Sequence, residues 1–376
     1  MYSPIYPAFC DTSAMQFRHT RTLPATSLTT SPLVSMLCLS LALLTASTAT
    51  QLRAQVAPPP SESPYTLHVY TRRLEVPTLV LPLPHHPLPP VDAKAFTISL
   101  DSGPHFHPNH IRLEGNDPIT LAILLDVSGD QSDLLAAFKR SMPMWVALSL
   151  RPQDHVSIYA IDCSLLQTDN YQSPNPSVLG HDLDVAITST LSHGNKTRGA
   201  CGSSIRLWDS MDTVMRQMAQ LPGRRVLLVL SSGYDGKSVL KWSALKSDAT
   251  NNDITIFALT SGDPMLMQPE HSLNSLIEQS GGLYLQGYPD TLPKTLATFI
   301  DMLRGRYILD FPMPANFTSG NHLIDVTVNK SDALIRPSGI TVPLPDPSIA
   351  NDPTTLPSNN SNAPIMGKRR PPNPHP

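Results

Sequence analysis

Two kinds of apolar pattern alternate along the chain. In its middle, nearly unbroken runs at Ile119 to Leu125 (ITLAILL), Val226 to Leu230 (VLLVL) and Ile254 to Leu259 (ITIFAL) read as strands buried on both faces of a parallel sheet. Shorter strands are expected at Val156 to Ile161 and Leu283 to Leu285. Between them the spacing is helical: Asp133 to Leu150, Asp184 to Leu191, Ile205 to Leu221, Val239 to Ala249, Leu273 to Gln279 and Leu292 to Leu303. Strands alternating with helices at this pitch imply right-handed crossovers and a doubly wound, mostly parallel α/β sheet over residues 118–305. On either side the period falls to two residues. Tyr65 to Tyr70, Ala95 to Leu100, His110 to Leu113, Tyr307 to Phe311 and His322 to Asn329 alternate, and Leu74 to Leu81 is rich in β-branched residues. The flanking strands of residues 65–115 and 306–342 are therefore expected to pair as a small β-sandwich into which the α/β unit is inserted. Pro, Gly and Asp interrupt the early strands, which suits sheet edges. Residues 343–376 show no apolar period and are expected to be disordered.

Composition sharpens the two ends of the chain. Of 39 prolines, ten fall in residues 56–92 and ten in 341–376, so the excess lies outside the α/β unit. A net charge of −3 argues against a nucleic-acid partner, and four cysteines in 376 residues exclude a disulfide scaffold. Residues 1–54 read as a secretory signal: Arg18 and Arg21 precede the apolar run Leu33 to Leu44, which is too short to span a bilayer, and small residues follow it. Residues 55–64 are a proline-rich linker. Export places the mature chain outside the cytoplasm, secreted, periplasmic or on the cell envelope, with no transmembrane span after cleavage. It also leaves Cys163 and Cys201 as the remaining cysteines in an oxidising compartment. They are either disulfide-bonded or two buried thiols.

In an open α/β sheet, ligands bind beyond the C-terminal ends of the strands. The first buried strand runs into Asp126-Val127-Ser128-Gly129-Asp130, which aims Asp126, Ser128 and Asp130 to one side. Hard oxygens on a short loop suit Mg²⁺ or Mn²⁺. Two further loops, Cys201-Gly202-Ser203-Ser204 and Ser231-Ser232-Gly233-Tyr234-Asp235, follow in the same sheet. The pattern LAILLDVSGD, CGSSIRLWD and RRVLLVLSSGYD, with a closing Leu303-Arg304-Gly305-Arg306-Tyr307-Ile308-Leu309, resembles the secreted von Willebrand factor type A related proteins abundant in Acidobacteria. The resemblance runs from about Tyr65 to Pro345.

That resemblance implies a Rossmann-like A-domain whose loops hold a divalent cation, its shell completed by a carboxylate of a protein partner. Asp126 and Ser128 match the first Asp and Ser of the D-x-S-x-S motif, while Asp130 stands at the second Ser. The Thr of the second loop falls on Ser203 or Ser204. The Asp of the third loop is replaced by Ser232, with Asp235 as a substitute three residues on. The implied metal set is thus Asp126, Ser128, Asp130, Ser204 and Asp235. Two arrangements fit these departures: a retuned site in which Asp130 restores the lost carboxylate, or a vestigial loop whose polar groups satisfy strand ends and cap a helix.

The expected function is that of a secreted or envelope adhesion or protein-interaction protein, not an enzyme. A metal-free structural envelope protein is the alternative. An exported metal-dependent hydrolase is disfavoured because none of the three loops carries a His or Lys to act as acid or base. The series His105, His107 and His110 lacks a local fourth ligand and reads as a solvated loop, and the three tryptophans read as core.

Overall fold

The computed structural model describes residues 68–69, 73–83, 91–128, 131–192, 205–261, 273–342, 355–356 and 362–368. The signal segment, the linker, Asp130, Ser203, Ser204 and Cys201 lie outside them.

In chain order the strands are β1 (His68–Val69), β2 (Arg73–Leu81), β3 (Phe96–Leu100), β4 (His110–Leu113), β5 (Ile119–Asp126), β6 (His155–Ile161), β7 (Leu165–Gln167), β8 (Arg224–Leu230), β9 (Ile254–Thr260), β10 (Tyr284–Gln286), β11 (Tyr307–Pro312), β12 (Gly320–His322), β13 (Ile324–Val328), β14 (Leu334–Pro337), β15 (Ile340–Val342) and β16 (Thr355–Leu356). The α-helices are α1 (Ser132–Ser149), α2 (Pro176–Ser192), α3 (Leu207–Met218), α4 (Trp242–Asn251), α5 (Leu273–Gln279) and α6 (Leu292–Arg304).

The central sheet has the order β10-β9-β8-β5-β6-β7. All neighbours are parallel except β6 and β7, an antiparallel edge pair. Every residue of β5 is buried because helices cover both faces. Leu121, Ile123 and Leu125 pack with Leu134 and Phe138 of α1, Leu183 of α2 and Phe299 of α6. Ala122 and Leu124 point the other way, towards Met211 of α3, Leu245 of α4 and Leu276 of α5. This is the doubly wound α/β architecture, and the order reverses between β5 and β8.

The flanking strands form the sandwich. One sheet has the order β14-β2-β11-β4, and β3 pairs with β13 opposite it. Val76, Val80, Leu309 and Phe311 from the first meet Phe96, Ile98, Leu100, Val326 and Val328 from the second. Strand β2 is internal, although Pro77 suggested an edge. Pro77 O accepts from Ser338 N just past the end of β14, so the missing N–H falls at the last rung of that ladder.

The two connections between the units are tied to each other. Glu114 N donates to Arg306 O and Gly115 N to Arg304 O. The Arg306 guanidinium, 1% exposed, grips Glu114 through Nε (2.7 Å) and Nη2 (2.9 Å), and its Nη1 donates to Thr255 Oγ1 on β9 (2.7 Å). Alongside, Arg304 pairs with buried Asp154 at 2.6 Å, and Asp154 also accepts from Ile119 N at the start of β5. These contacts clamp the N-terminal ends of β5 and β9 and the loop before β6.

Several boundaries differ from the sequence expectation. Helix α2 starts at Pro176, well before Asp184, because proline fits the first helical turn and Asn175 Oδ1 caps it by accepting from Ser177 N and Val178 N. Helix α4 starts at Trp242, after Val239, whose N–H instead donates to Asp209. The tail is the larger correction. Within the stretch expected to be disordered, Met366 is 6% exposed in the sandwich core. It exchanges two hydrogen bonds with the Asn316 amide, and Gly367 N donates to Leu100 O. A Cβ on Gly367 would lie 2.0 Å from Asp101 O, so only glycine fits there. Only Pro364 and Met366 are buried in this short segment, too few positions for the pattern to show.

Removing one partner of the buried clamp leaves a charge without compensation. Arg306→Met is expected to lower stability by about 3–5 kcal/mol in urea denaturation, and adding Glu114→Leu to recover much of the loss. A loss under about 1 kcal/mol would mean that the clamp is not a determinant of stability.

Candidate functional site at the strand tops

Asp126 closes β5 at the point where the strand order reverses, and Ser128 follows it. Both are buried, 4% and 6% exposed. Asp126 Oδ1 accepts from Ser128 N (3.1 Å) and Ser128 Oγ (2.6 Å). Its Oδ2 accepts from Ser231 Oγ (2.7 Å), the first residue after β8. Ser231 Oγ in turn accepts from Gly233 N (3.0 Å), in a turn where Gly233 has φ +82°, a conformation that suits glycine. The convergence follows from register: Leu125 pairs with Leu230, so the next residues leave their strands side by side.

Asp235 is not part of this cluster by its hydrogen bonds. Its Oδ1 accepts from Trp208 N (3.1 Å) and Ser238 Oγ (2.6 Å), and its Oδ2 from Ser238 N (3.3 Å). Asp209 answers from α3, accepting from Val239 N and Leu240 N. Arg206, which precedes α3, gives no side-chain cap, so the first turn of α3 is closed by Asp235 from a distant loop. Asp235, expected to replace the carboxylate missing at Ser232, is placed by its hydrogen bonds at the start of α3, where its oxygens act as a helix cap. Ser232 itself is exposed. Asp130 and Ser204, the other expected ligands, lie outside the described residues.

Asp162 was not singled out by the pattern. It follows β6, whose Ile161 is in register with Asp126, and Val127 N donates to Ile161 O at 2.9 Å. Its Oδ1 is buried with no hydrogen-bond partner. Burial, and then the charge of Asp126, raise its pKa above the usual carboxylate value. A polar residue ending a buried strand next to the reversal point was the available signal. The next residue, Cys163, is disulfide-bonded, while Cys201 lies outside the described residues.

The donors fit a hard divalent cation in type: one carboxylate braced by two hydroxyls, with a second carboxylate beside it whose oxygen is unpartnered. Among the described residues no three His, Cys, Asp or Glu side chains gather as a metal cage. The histidine series is not such a cage either: His107 Nδ1 lies 2.6 Å from Phe96 O, a bond that holds the loop to β3.

No protein-family model matches the chain, and neither does any curated protein. Similar solved structures include von Willebrand A-like proteins. The conserved hypothetical protein BatB from Bacteroides thetaiotaomicron is 17% identical, over 49% of this chain and 98% of its own, with a TM-score of 0.36. The von Willebrand factor type A protein from Catenulispora acidiphila is 10% identical, over 65% and 72%, at 0.40. Proximal thread matrix protein 1 from the mussel byssus, solved with a zinc-occupied MIDAS motif, is 11% identical at 0.40, and the match covers 53% of this chain and 49% of that one. These scores carry no functional argument, and the fold assignment stands on the strand order and register.

Two measurements check the site. Asp235→Ala is expected to cost about 1–2 kcal/mol and to speed amide exchange in the first turn of α3. An unchanged exchange rate at Trp208 would refute the cap. In cation-free buffer, Asp162→Asn is expected to raise the melting temperature at neutral pH. Because its folded pKa is raised, Asp162 favours the folded state below its unfolded pKa, and that contribution is lost as pH rises through the folded value. A lower melting temperature would show that the carboxylate has a stabilising partner.

Proposed function

We propose that this is an exported interaction protein that recognises a partner at the Asp126 face through a divalent cation, Mg²⁺ or Mn²⁺, with an acidic side chain of the partner completing the shell. The observation that carries the reading is the meeting of Asp126, Ser128 and Ser231 at the reversal point of a parallel sheet. Asp126, Ser128 and Ser231 would hold the ion, and the ion would supply a positive charge for a carboxylate. Nothing in this arrangement requires bond making. The hydrogen bonds that Asp126 accepts come from serines, not from a group suited to proton transfer.

Exposed aromatic rings at the same end of the sheet support protein recognition. Tyr234, after β8, is 43% exposed and Tyr288, after β10, is 50% exposed. Tyrosine is enriched in the cores of protein interfaces. Export is supported by the apolar run Leu33 to Leu44 and by the disulfide at Cys163, a bond that persists in oxidising compartments. No helix among the described residues is long and apolar enough to cross a membrane.

One observation favours a second reading, a metal-free structural envelope protein: both oxygens of Asp126 accept hydrogen bonds from Ser128 and Ser231. Mg²⁺ titration separates the two. At a hundredfold excess over Kd, stabilisation of about 2.7 kcal/mol is expected for the native protein and none for Asp126→Ala. Native protein with no thermal shift in Mg²⁺ or Mn²⁺ selects the structural reading.

A further inference from the structure

The third loop leaves an opening in the electrostatics of the site. Where the resemblance implies a carboxylate, this chain has exposed Ser232, and Asp235 is engaged at α3. Yet a second carboxylate does stand beside Asp126, on the other flank. We propose that Asp162 is a cation ligand, so that the site is built across β6, β5 and β8, with carboxylates from the first two strands and a hydroxyl from the third. The inference rests on the cation reading above and adds to it a residue outside the motif.

Three observations converge on Asp162. The first is placement. Ile161 pairs with Asp126, and the bond from Val127 N to Ile161 O holds the two chain segments together past the strand ends. Asp162 therefore leaves the sheet next to the Asp126 loop.

The second is the state of its oxygen. Oδ1 is buried and lacks a partner, although serine hydroxyls satisfy both oxygens of Asp126 nearby. A buried carboxylate oxygen without a donor is costly, and among the described residues no arginine or lysine forms an ion pair with it. A cation relieves that cost and at the same time screens the repulsion between the two aspartates. This reasoning also explains why the motif tolerates Ser232: two carboxylates on neighbouring strands balance a charge of +2 without one from the third loop.

The third is rigidity. Asp162 N donates to Ser164 O at 3.4 Å, and the adjoining Cys163 is disulfide-bonded. A ligand held by its backbone loses little conformational freedom on binding. The chemical class that follows is a small hard cation, since Ca²⁺ takes six to eight oxygens, whereas Mg²⁺ or Mn²⁺ takes six and keeps several of them as waters, so few protein ligands suffice.

The test uses the full exported chain with Mn²⁺ alone as the probe. Free Mn²⁺ is followed by electron paramagnetic resonance and bound Mn²⁺ by water-proton relaxation, with circular dichroism in chelator to confirm folding. The native protein is expected to bind one ion, and Asp126→Ala to lose it. Asp162→Asn is expected to weaken binding by about tenfold or more, and the ion still bound at saturation to carry one extra water. Asp162→Ala, read the same way, replaces Asp162→Asn if the amide is not tolerated.

Weaker binding without the extra water would make Asp162 a distant charge rather than a ligand and overturn the proposal. Native affinity in Asp162→Asn, with Asp126→Ala inactive, would overturn it while leaving the cation reading intact. No Mn²⁺ bound by the native protein would overturn both.

Discussion

The buried bidentate contact between Arg306 and Glu114 is the constraint from which the arrangement of this protein follows. Glu114 lies five residues before the start of the inserted unit's first buried strand, and Arg306 lies just after its last helix. Pairing them, with their backbones also bonded, closes the insertion at its base. The third contact, to Thr255, reaches β9, so the clamp holds the sheet itself as well as the connections. Two charges buried this deeply gain little net free energy over apolar residues of the same shape. What they contribute is direction: a guanidinium fork accepts a carboxylate in one plane, and that fixes how the chain enters and leaves the α/β unit. The sandwich is thereby attached at the N-terminal ends of the strands. The C-terminal ends, where Asp126 and Ser231 meet, are left to the opposite side.

Much of this was legible in the hydrophobic pattern. Runs such as ITLAILL and VLLVL, each bounded by turn residues, read as strands buried on both faces, and the alternation with helices then dictates crossovers of one hand. The period of two in β13 located the sandwich with equal clarity, since its burial alternates residue by residue. What the pattern could not show were elements held by something other than repeated apolar contact. Strands β7, β14 and β15 have three or four residues each, and what places them is pairing with β6, β2 and β12. The segment around Met366 is held by the Met366 side chain, the Asn316 amide, and backbone bonds from Ala315 N to Pro364 O and from Gly367 N to Leu100 O. Helix α2 begins among prolines and an asparagine that individually suggest a turn, and together form a helix start.

At the site the limit was of a different kind. A motif fixes residue types along the chain, but a ligand set is a matter of which oxygens remain uncommitted after folding. Asp235 had the right type and spacing, and α3 claimed it, because a helix whose preceding residue is Arg206 has no local acceptor for its first amides. Asp162 had no motif to recommend it. Its relevance comes from the register of β5 with β6, a relation between residues 35 positions apart in the chain that no local window contains.

The same register explains why a parallel sheet builds such a site from loops of modest individual interest. Each strand delivers its last residue to a common edge, and neighbours in the sheet become neighbours at the edge irrespective of their distance in sequence. Placing Asp162 against Asp126 there works against folding, since burial, and then the charge of Asp126, raise the proton affinity of Asp162. A position shaped by stability alone would carry an amide or a serine, as Ser231 shows on the other flank. Two adjacent carboxylates, one with an oxygen left bare, are consistent instead with a fold that accepts local strain where a cation would relieve it.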